Sequence, residues 1–142
     1  MNRIAQFEPS FQDTERLWIP SPFRARSRWQ SFGCAFQGLR DAWEAQLNLR
    51  LQVYIGMGTV ALGAWFRLSV IEWLWISFAI GLVIFAELMN TAIEQTVDFV
   101  VGSRPDPLAR RVKDLAAGCV LAAAVIAVII GALTFGPHLH IG

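Results

Sequence analysis

Charge is scarce in this chain of 142 residues. Asp, Glu, Lys and Arg together make up 16% of it, against roughly 25% in an ordinary soluble domain. The net charge is only +1, so no strong field calls for an acidic partner, and a basic nucleic-acid-binding domain is excluded. There are two cysteines, Cys34 and Cys119, far apart and outside any C-x-x-C pattern. They read as apolar filler, which excludes a disulfide scaffold and a zinc or redox site. No GxxxxGK[ST] loop is present, so no P-loop is expected. The two histidines, His138 and His140, lie far from the other polar residues, so no Ser–His–Asp order can be assembled. Fixed-period repeats and low-complexity tracts are absent. The N-terminus carries no apolar run of signal-peptide type, so no cleaved leader is expected.

Apolar residues fill the space that charge leaves. AVILMFWYC account for 55%, and the mean hydropathy is +0.46; this excludes disorder, and the length is that of one domain. No charged residue occurs over Leu51–Phe66, Trp73–Ala86 or Leu115–Gly142. A helix needs about 20 mostly apolar residues to cross a bilayer. Three spans are expected, over about 49–66, 71–99 and 115–135, in an all-α integral membrane protein. The first is short for a span. Seven arginines fall in the first fifty residues, and Arg104, Arg110, Arg111 and Lys113 fall between spans two and three, against Arg67 alone between spans one and two. The positive-inside rule puts the N-terminus and the second connection in the cytoplasm and the C-terminus outside, in a multi-pass protein of the inner (plasma) membrane.

Ahead of the first span lie two further segments. Residues 1–28 hold Pro9, Pro20 and Pro22 and read as a cytoplasmic tail in which Trp18, Phe23 and Trp29 flank arginines that suit anionic headgroups. Over 31–49, Phe32, Ala35, Phe36, Leu39, Trp43 and Leu47 recur at steps of three and four, the pattern of an amphipathic helix lying on the membrane surface. The turn GSRPDP, with Gly102, Pro105 and Pro107, ends span two and starts span three.

Acids inside span two are the main chemical signal. In FAELMNTAIEQTVDFV, Glu87, Asn90, Glu94 and Asp98 follow at steps of three, four and four. At about 100° per residue they share one stripe, and Glu87 lies about 10 Å along the axis from Glu94. A carboxylate in hydrocarbon costs several kcal/mol unless paired, hydrated or protonated. Either a hard cation such as magnesium or an interhelical hydrogen-bond ladder answers that need. Lys113 and Asp114 stand across the loop at the start of span three, beside Arg110 and Arg111. Cationic donors and free helix N–H groups next to acids fit a polyphosphate site; plain positive-inside anchoring is the simpler reading. Gly56, Gly58 and Ala61 match GxGxxA inside an apolar span with no strand before them, and read as packing.

These blocks resemble a known family. Glu87-Leu-Met-Asn90-Thr-Ala-Ile-Glu94-Gln-Thr-Val-Asp98 is similar to the signature of the small prokaryotic membrane lipid kinases, the diacylglycerol kinase and undecaprenol kinase family. Asp106-Pro-Leu-Ala-Arg-Arg-Val-Lys113-Asp114-Leu-Ala-Ala-Gly118 matches its second block, Ser31-Phe-Gly33-Cys-Ala35-Phe-Gln-Gly38-Leu its surface helix, and Asn48-Leu-Arg50 the junction into span one. The resemblance runs from about Trp29 to Phe135, within a kinase domain of residues 29–142. It implies a homotrimer that moves the γ-phosphate of ATP to a membrane lipid alcohol with Mg2+ as cofactor and no nucleic-acid partner. It further implies Glu87 as base and lipid contact, Ala117 as a second lipid contact, Glu94 as metal ligand, and Asn90, Glu94, Lys113 and Asp114 at ATP.

One position departs from the family pattern. The second metal-binding glutamate, four residues before the NxR arginine, is Gln46 here. An amide oxygen carries no charge, and Glu44 lies about 200° away around the helix. A non-catalytic membrane scaffold or regulator is therefore the alternative reading. A small transporter with acids lining a path is the third.

Overall fold

The computed structural model describes residues 28–102 and 104–139. Most of the tail expected over residues 1–28 lies outside them, as do Ser103 of the GSRPDP turn and His140. All regular structure among the described residues is helical: α1 (Arg28–Ala45), α2 (Leu47–Trp65), α3 (Val70–Val101) and α4 (Pro107–Leu139). The chain divides into two units, Met1–Phe36 and Gln37–Gly142. In the first, Trp29 and Phe32 are exposed, with ring centroids 6.4 Å apart.

The expected surface helix and first span meet at a break. Gln46 separates α1 from α2 in an extended conformation (φ −110°, ψ 110°). No proline or glycine stands nearby, so nothing in the local sequence marks it. The first helix therefore ends at Ala45, earlier than the expected 49.

The turn from α2 to α3 is built from two caps. Phe66, Arg67 and Leu68 donate backbone N–H bonds to Leu62, Ala64 and Gly63. The last two form the Schellman arrangement, with Arg67 at φ 54° where glycine is usual. Ser69 then starts α3 with a capping box: its side chain accepts from the Glu72 N–H, and Glu72 accepts from the Ser69 N–H at 2.7 Å. At the other end Gly102, at φ 65°, closes α3 with its N–H on the Asp98 carbonyl. Asp106 opens α4, accepting from the N–H groups of Leu108 (2.7 Å) and Ala109 (3.0 Å), with Pro107 at the first helical position.

Helix α3 packs along α4 and more lightly on α2. Its buried side chains Ile76, Ala79, Val83, Glu87 and Thr91 form one line at helical spacing. Small residues bring the helices close: a Cβ on Gly56 would sit 3.1 Å from Ile80. Outside this line the bundle is apolar and open, with Leu121, Val128 and Leu133 exposed to 67%, 71% and 73%. Such a surface belongs against lipid or other apolar chains rather than water. Helices α3 and α4 are long and apolar enough to cross a membrane; α2, with Asn48, Arg50 and Gln52 in its first turns, is not in that class.

At Gly63 a Cβ would come within 2.9 Å of the Trp73 ring and 3.0 Å of the buried Leu68, whereas Gly58 has nothing within 4 Å. Gly63→Ala is expected to destabilise by about 1–3 kcal/mol through overpacking. Gly58→Ala is expected to be neutral or stabilising by up to about 1 kcal/mol. Unfolding of both variants in detergent checks the contrast.

Candidate functional site

The acidic stripe lies in the second half of α3, and its members are not equivalent. Glu87 is buried, with 3% of its surface exposed. Asn90 and Glu94 are half-buried, and Asp98 is exposed. Burial thus decreases from the hydrocarbon end toward the connection, as expected of acids that approach an interface from within.

Each polar group has a different partner. The Asn48 side chain, from the first turn of α2, reaches the Glu87 carboxyl. Thr91 donates its hydroxyl to the Glu87 backbone carbonyl at 3.0 Å and not to the carboxyl. Asn90 donates its amide to Glu94 Oε1 at 3.2 Å, while its Oδ1 is buried without a partner. Arg50 Nε is likewise buried and unpartnered. Asn48 is a site residue that its place in the NxR motif alone did not reveal. Only the packing of α2 on α3 brings it to the acid.

Lys113, the one lysine in the sequence, donates from Nζ to Asp98 Oδ1 at 2.6 Å. The cation expected opposite the stripe does meet it, but at Asp98 rather than at Glu94 or Glu87. From Asp98 to Glu87 is about 16 Å of helix. Asp114 is exposed and faces Arg110 at 3.8 Å on its own helix. Ala117 is exposed, and Gln46 is half-buried at the break, with no side-chain bond capping α2. One chain therefore joins Glu87, Asn48, Asn90 and Glu94 in one cluster, and Lys113 with Asp98 in another about 6 Å beyond Glu94 along α3.

Among the described residues, no group of three or more His, Cys, Asp and Glu side chains is placed to hold a metal ion. The oxygens that are present are the Glu94 carboxylate, the orphaned Asn90 Oδ1 and the Glu87 carboxylate on the same stripe. Such a set is too sparse for an all-protein cage. It fits magnesium, which keeps several waters and commonly binds through one or two carboxylates together with substrate phosphates.

At the far end of the bundle is a cluster the sequence pattern did not disclose. His138 Nε2 lies 2.8 Å from Glu72 Oε1, and the Phe66 ring is 5.8 Å from the imidazole and 6.0 Å from Phe135. His138, expected to lie far from the other polar residues, is thus tied to Glu72 across α3 and α4, because the start of α3 and the end of α4 pack at the same end of the bundle. Cys34 and Cys119 are free and exposed.

Fold and site define a small helical bundle that carries carboxylates inside a helix long and apolar enough to cross a membrane. The chain belongs to the prokaryotic diacylglycerol kinase family, whose sequence model matches residues 33–135. It is 39% identical over 111 residues to the undecaprenol kinase of Bacillus subtilis (strain 168), covering 78% of this chain and 89% of that protein. It is 37% identical over 109 residues to a diacylglycerol kinase of Synechocystis sp., covering 77% of this chain and 62% of the other. With the diacylglycerol kinase of Escherichia coli (strain K12) it shares 30% over 106 residues, 75% of this chain and 86% of that one.

Because Lys113 is the sole lysine, acylation at that site reports directly on its ion pair. Asp98→Asn is expected to speed modification of Lys113 by an amine reagent roughly 1.5- to 5-fold, the worth of one exposed pair. Peptide mass mapping, which separates this site from the N-terminal amine, measures it. An unchanged rate would mean that the Asp98 contact does not hold the amine.

Proposed function

We propose that this chain is a lipid kinase of the cell membrane that transfers the γ-phosphate of ATP to a lipid alcohol, diacylglycerol or undecaprenol. The observation that carries the reading is Glu87: a buried carboxyl, in a helix apolar enough to span a membrane, with an amide from a second helix at its side. A water-soluble substrate would not require a base at that depth. The relatives are named as kinases, which favours catalysis over the scaffold reading.

Glu87 accepts the proton of the lipid hydroxyl as its oxygen attacks the γ-phosphorus. The bond from that phosphorus to the β–γ bridging oxygen breaks, and ADP leaves. Asn48 orients the carboxyl. Asn90, Glu94, Lys113 and Asp114 hold the nucleotide, with the polyphosphate laid along the stripe from Glu94 toward Lys113. Glu94 and Asn90 Oδ1 would hold Mg2+, joined by the amide oxygen of Gln46 at the position where the family pattern has its second metal-binding glutamate; bound there, the ion would neutralise phosphate charge. Ala117 touches the lipid. Phosphoryl transfer asks mainly for alignment and charge neutralisation, and this set supplies both.

In this reading α2, α3 and α4 all cross the membrane, the N-terminus and the α3–α4 connection are cytoplasmic, and α1 lies on the surface. Residues 29–142 form the kinase domain. A homotrimer completes the site. The wide exposure of apolar side chains on one chain, and the separation of its two polar clusters, support that assembly.

Purified protein with labelled ATP and each lipid tests the activity. Glu87→Gln, which keeps shape and assembly, is expected to lower turnover by about 100-fold or more, the range of general-base loss. Near-normal turnover would remove Glu87 from the chemistry.

Gln46→Glu offers a test of the metal. A charged ligand binds a hard cation better than a neutral amide. The magnesium concentration for half-maximal activity is expected to fall about tenfold, a modest 1.4 kcal/mol. Titration of magnesium at fixed ATP measures the midpoint, and an unchanged value would place Gln46 away from the metal.

A further inference from the structure

A groove of about 480 Å³ runs between α2, α3 and α4. Its lining on α3 begins at Val83, one turn from Glu87, and on α2 at Gln52, one turn from Asn48. From there it continues through apolar side chains toward the α2–α3 turn, reaching Leu62, Ile76 and Phe135. The ten steps of α2 from Gln52 to Leu62 make it about 15 Å long. Its one other polar lining group, Thr59, already donates its hydroxyl to the Ile55 carbonyl. The groove is therefore an apolar channel whose inner end lies beside the buried carboxyl.

At the opposite end Phe135 meets Phe66, with ring centroids 6.0 Å apart. The pair is fastened from outside: His138, one turn of α4 beyond Phe135, lies tilted against Phe66 and reaches Glu72 at 2.8 Å. Glu72 is itself fixed, since its other carboxylate oxygen accepts from both the N–H and the hydroxyl of Ser69 at 2.7 Å. Thus α2, α3 and α4 are clasped at the point where the groove stops.

We propose that this groove takes the hydrocarbon tail of the lipid alcohol, and that the Phe66–Phe135 stopper, held shut by His138 and Glu72, sets the tail length the enzyme favours. The inference rests on the lipid-kinase reading. A hydroxyl at Glu87 must have its hydrocarbon attached within a few bonds, and the groove is the apolar space that begins there. A tail that ends at the aromatic pair fills the groove. A longer one must bend out sideways into the bilayer and lose part of its contact.

Rates for the wild type and its variants on a series from dioctanoyl- to dioleoylglycerol, and from farnesol to undecaprenol, test this. Phe135→Ala opens the stop and is expected to raise the long-to-short ratio of kcat/KM about tenfold, the low end of what a methylene is worth in an apolar pocket. Gly131 lines the groove and has open space at its Cβ position, so Gly131→Leu is expected to shift preference the opposite way even if Phe135→Ala fails to fold. His138→Ala should loosen selection in the direction of Phe135→Ala, and His138→Gln, which keeps a donor, should restore it. The KM for ATP should stay unchanged throughout. Wild-type activity with the same tail preference in Phe135→Ala and Gly131→Leu would overturn the stopper. A change of oligomeric state without a change of preference would give the groove to a neighbouring copy and overturn it equally. Wild type inactive on every lipid would overturn the kinase reading and this inference with it.

Discussion

A carboxyl among hydrocarbon side chains must be given something polar, and the architecture follows from how Glu87 is supplied. Water is not at hand in the middle of an apolar helix pair, so a neighbouring helix must bring the partner. Helix α2 does this with Asn48, three residues after the break at Gln46. The break lets the chain turn from α1 into α2 so that the first turn of α2 meets α3. Thr91 contributes by binding the Glu87 backbone carbonyl and leaving the carboxyl to the site. In the proposed reading, a burial that costs stability is kept because it places a reactive oxygen at lipid depth.

The same requirement grades the rest of the stripe. Asn90 and Glu94 satisfy one another in part and leave one buried oxygen unused. Asp98, nearest the connection, is paired with the single lysine. The polar groups therefore change along α3 from a buried acid met by an amide of α2, through a hydrogen-bonded pair, to a solvated ion pair. A lipid hydroxyl and a polyphosphate need environments ordered in that way, one apolar and the other wet and cationic. In the reading proposed above, the helix itself is the ruler that sets donor and acceptor apart.

At the other end of the bundle, polar groups serve closure. Ser69 caps α3 through Glu72, and Glu72 at the same time receives His138 from α4. A capping box alone would stabilise one helix terminus. Shared with a histidine and two aromatic rings, it becomes a junction of three helices. The exposed apolar faces between the two ends have no such fastening, in keeping with lipid or further copies of the chain as their covering.

Much of this was legible in the residue order. The charge-free runs fixed where the long helices lie, because few residues other than apolar ones tolerate that setting. The steps of three, four and four put Glu87, Asn90, Glu94 and Asp98 on one face, since a helix turns by a constant angle. Gly102 and Pro107 marked the connection because each has its own backbone preference. The break at Gln46 was not legible, for no breaker residue stands there. Nor were the pairs Asn48–Glu87, Lys113–Asp98 and His138–Glu72, which join residues 39, 15 and 66 positions apart. Helical periodicity says which side chains share a face of one helix. It carries no information on which face of a second helix will be laid against it, or at what height. That is settled when Gly56 admits Ile80 and α3 packs along α4, and with it which acid meets an amide, which meets the lysine and where the apolar groove ends.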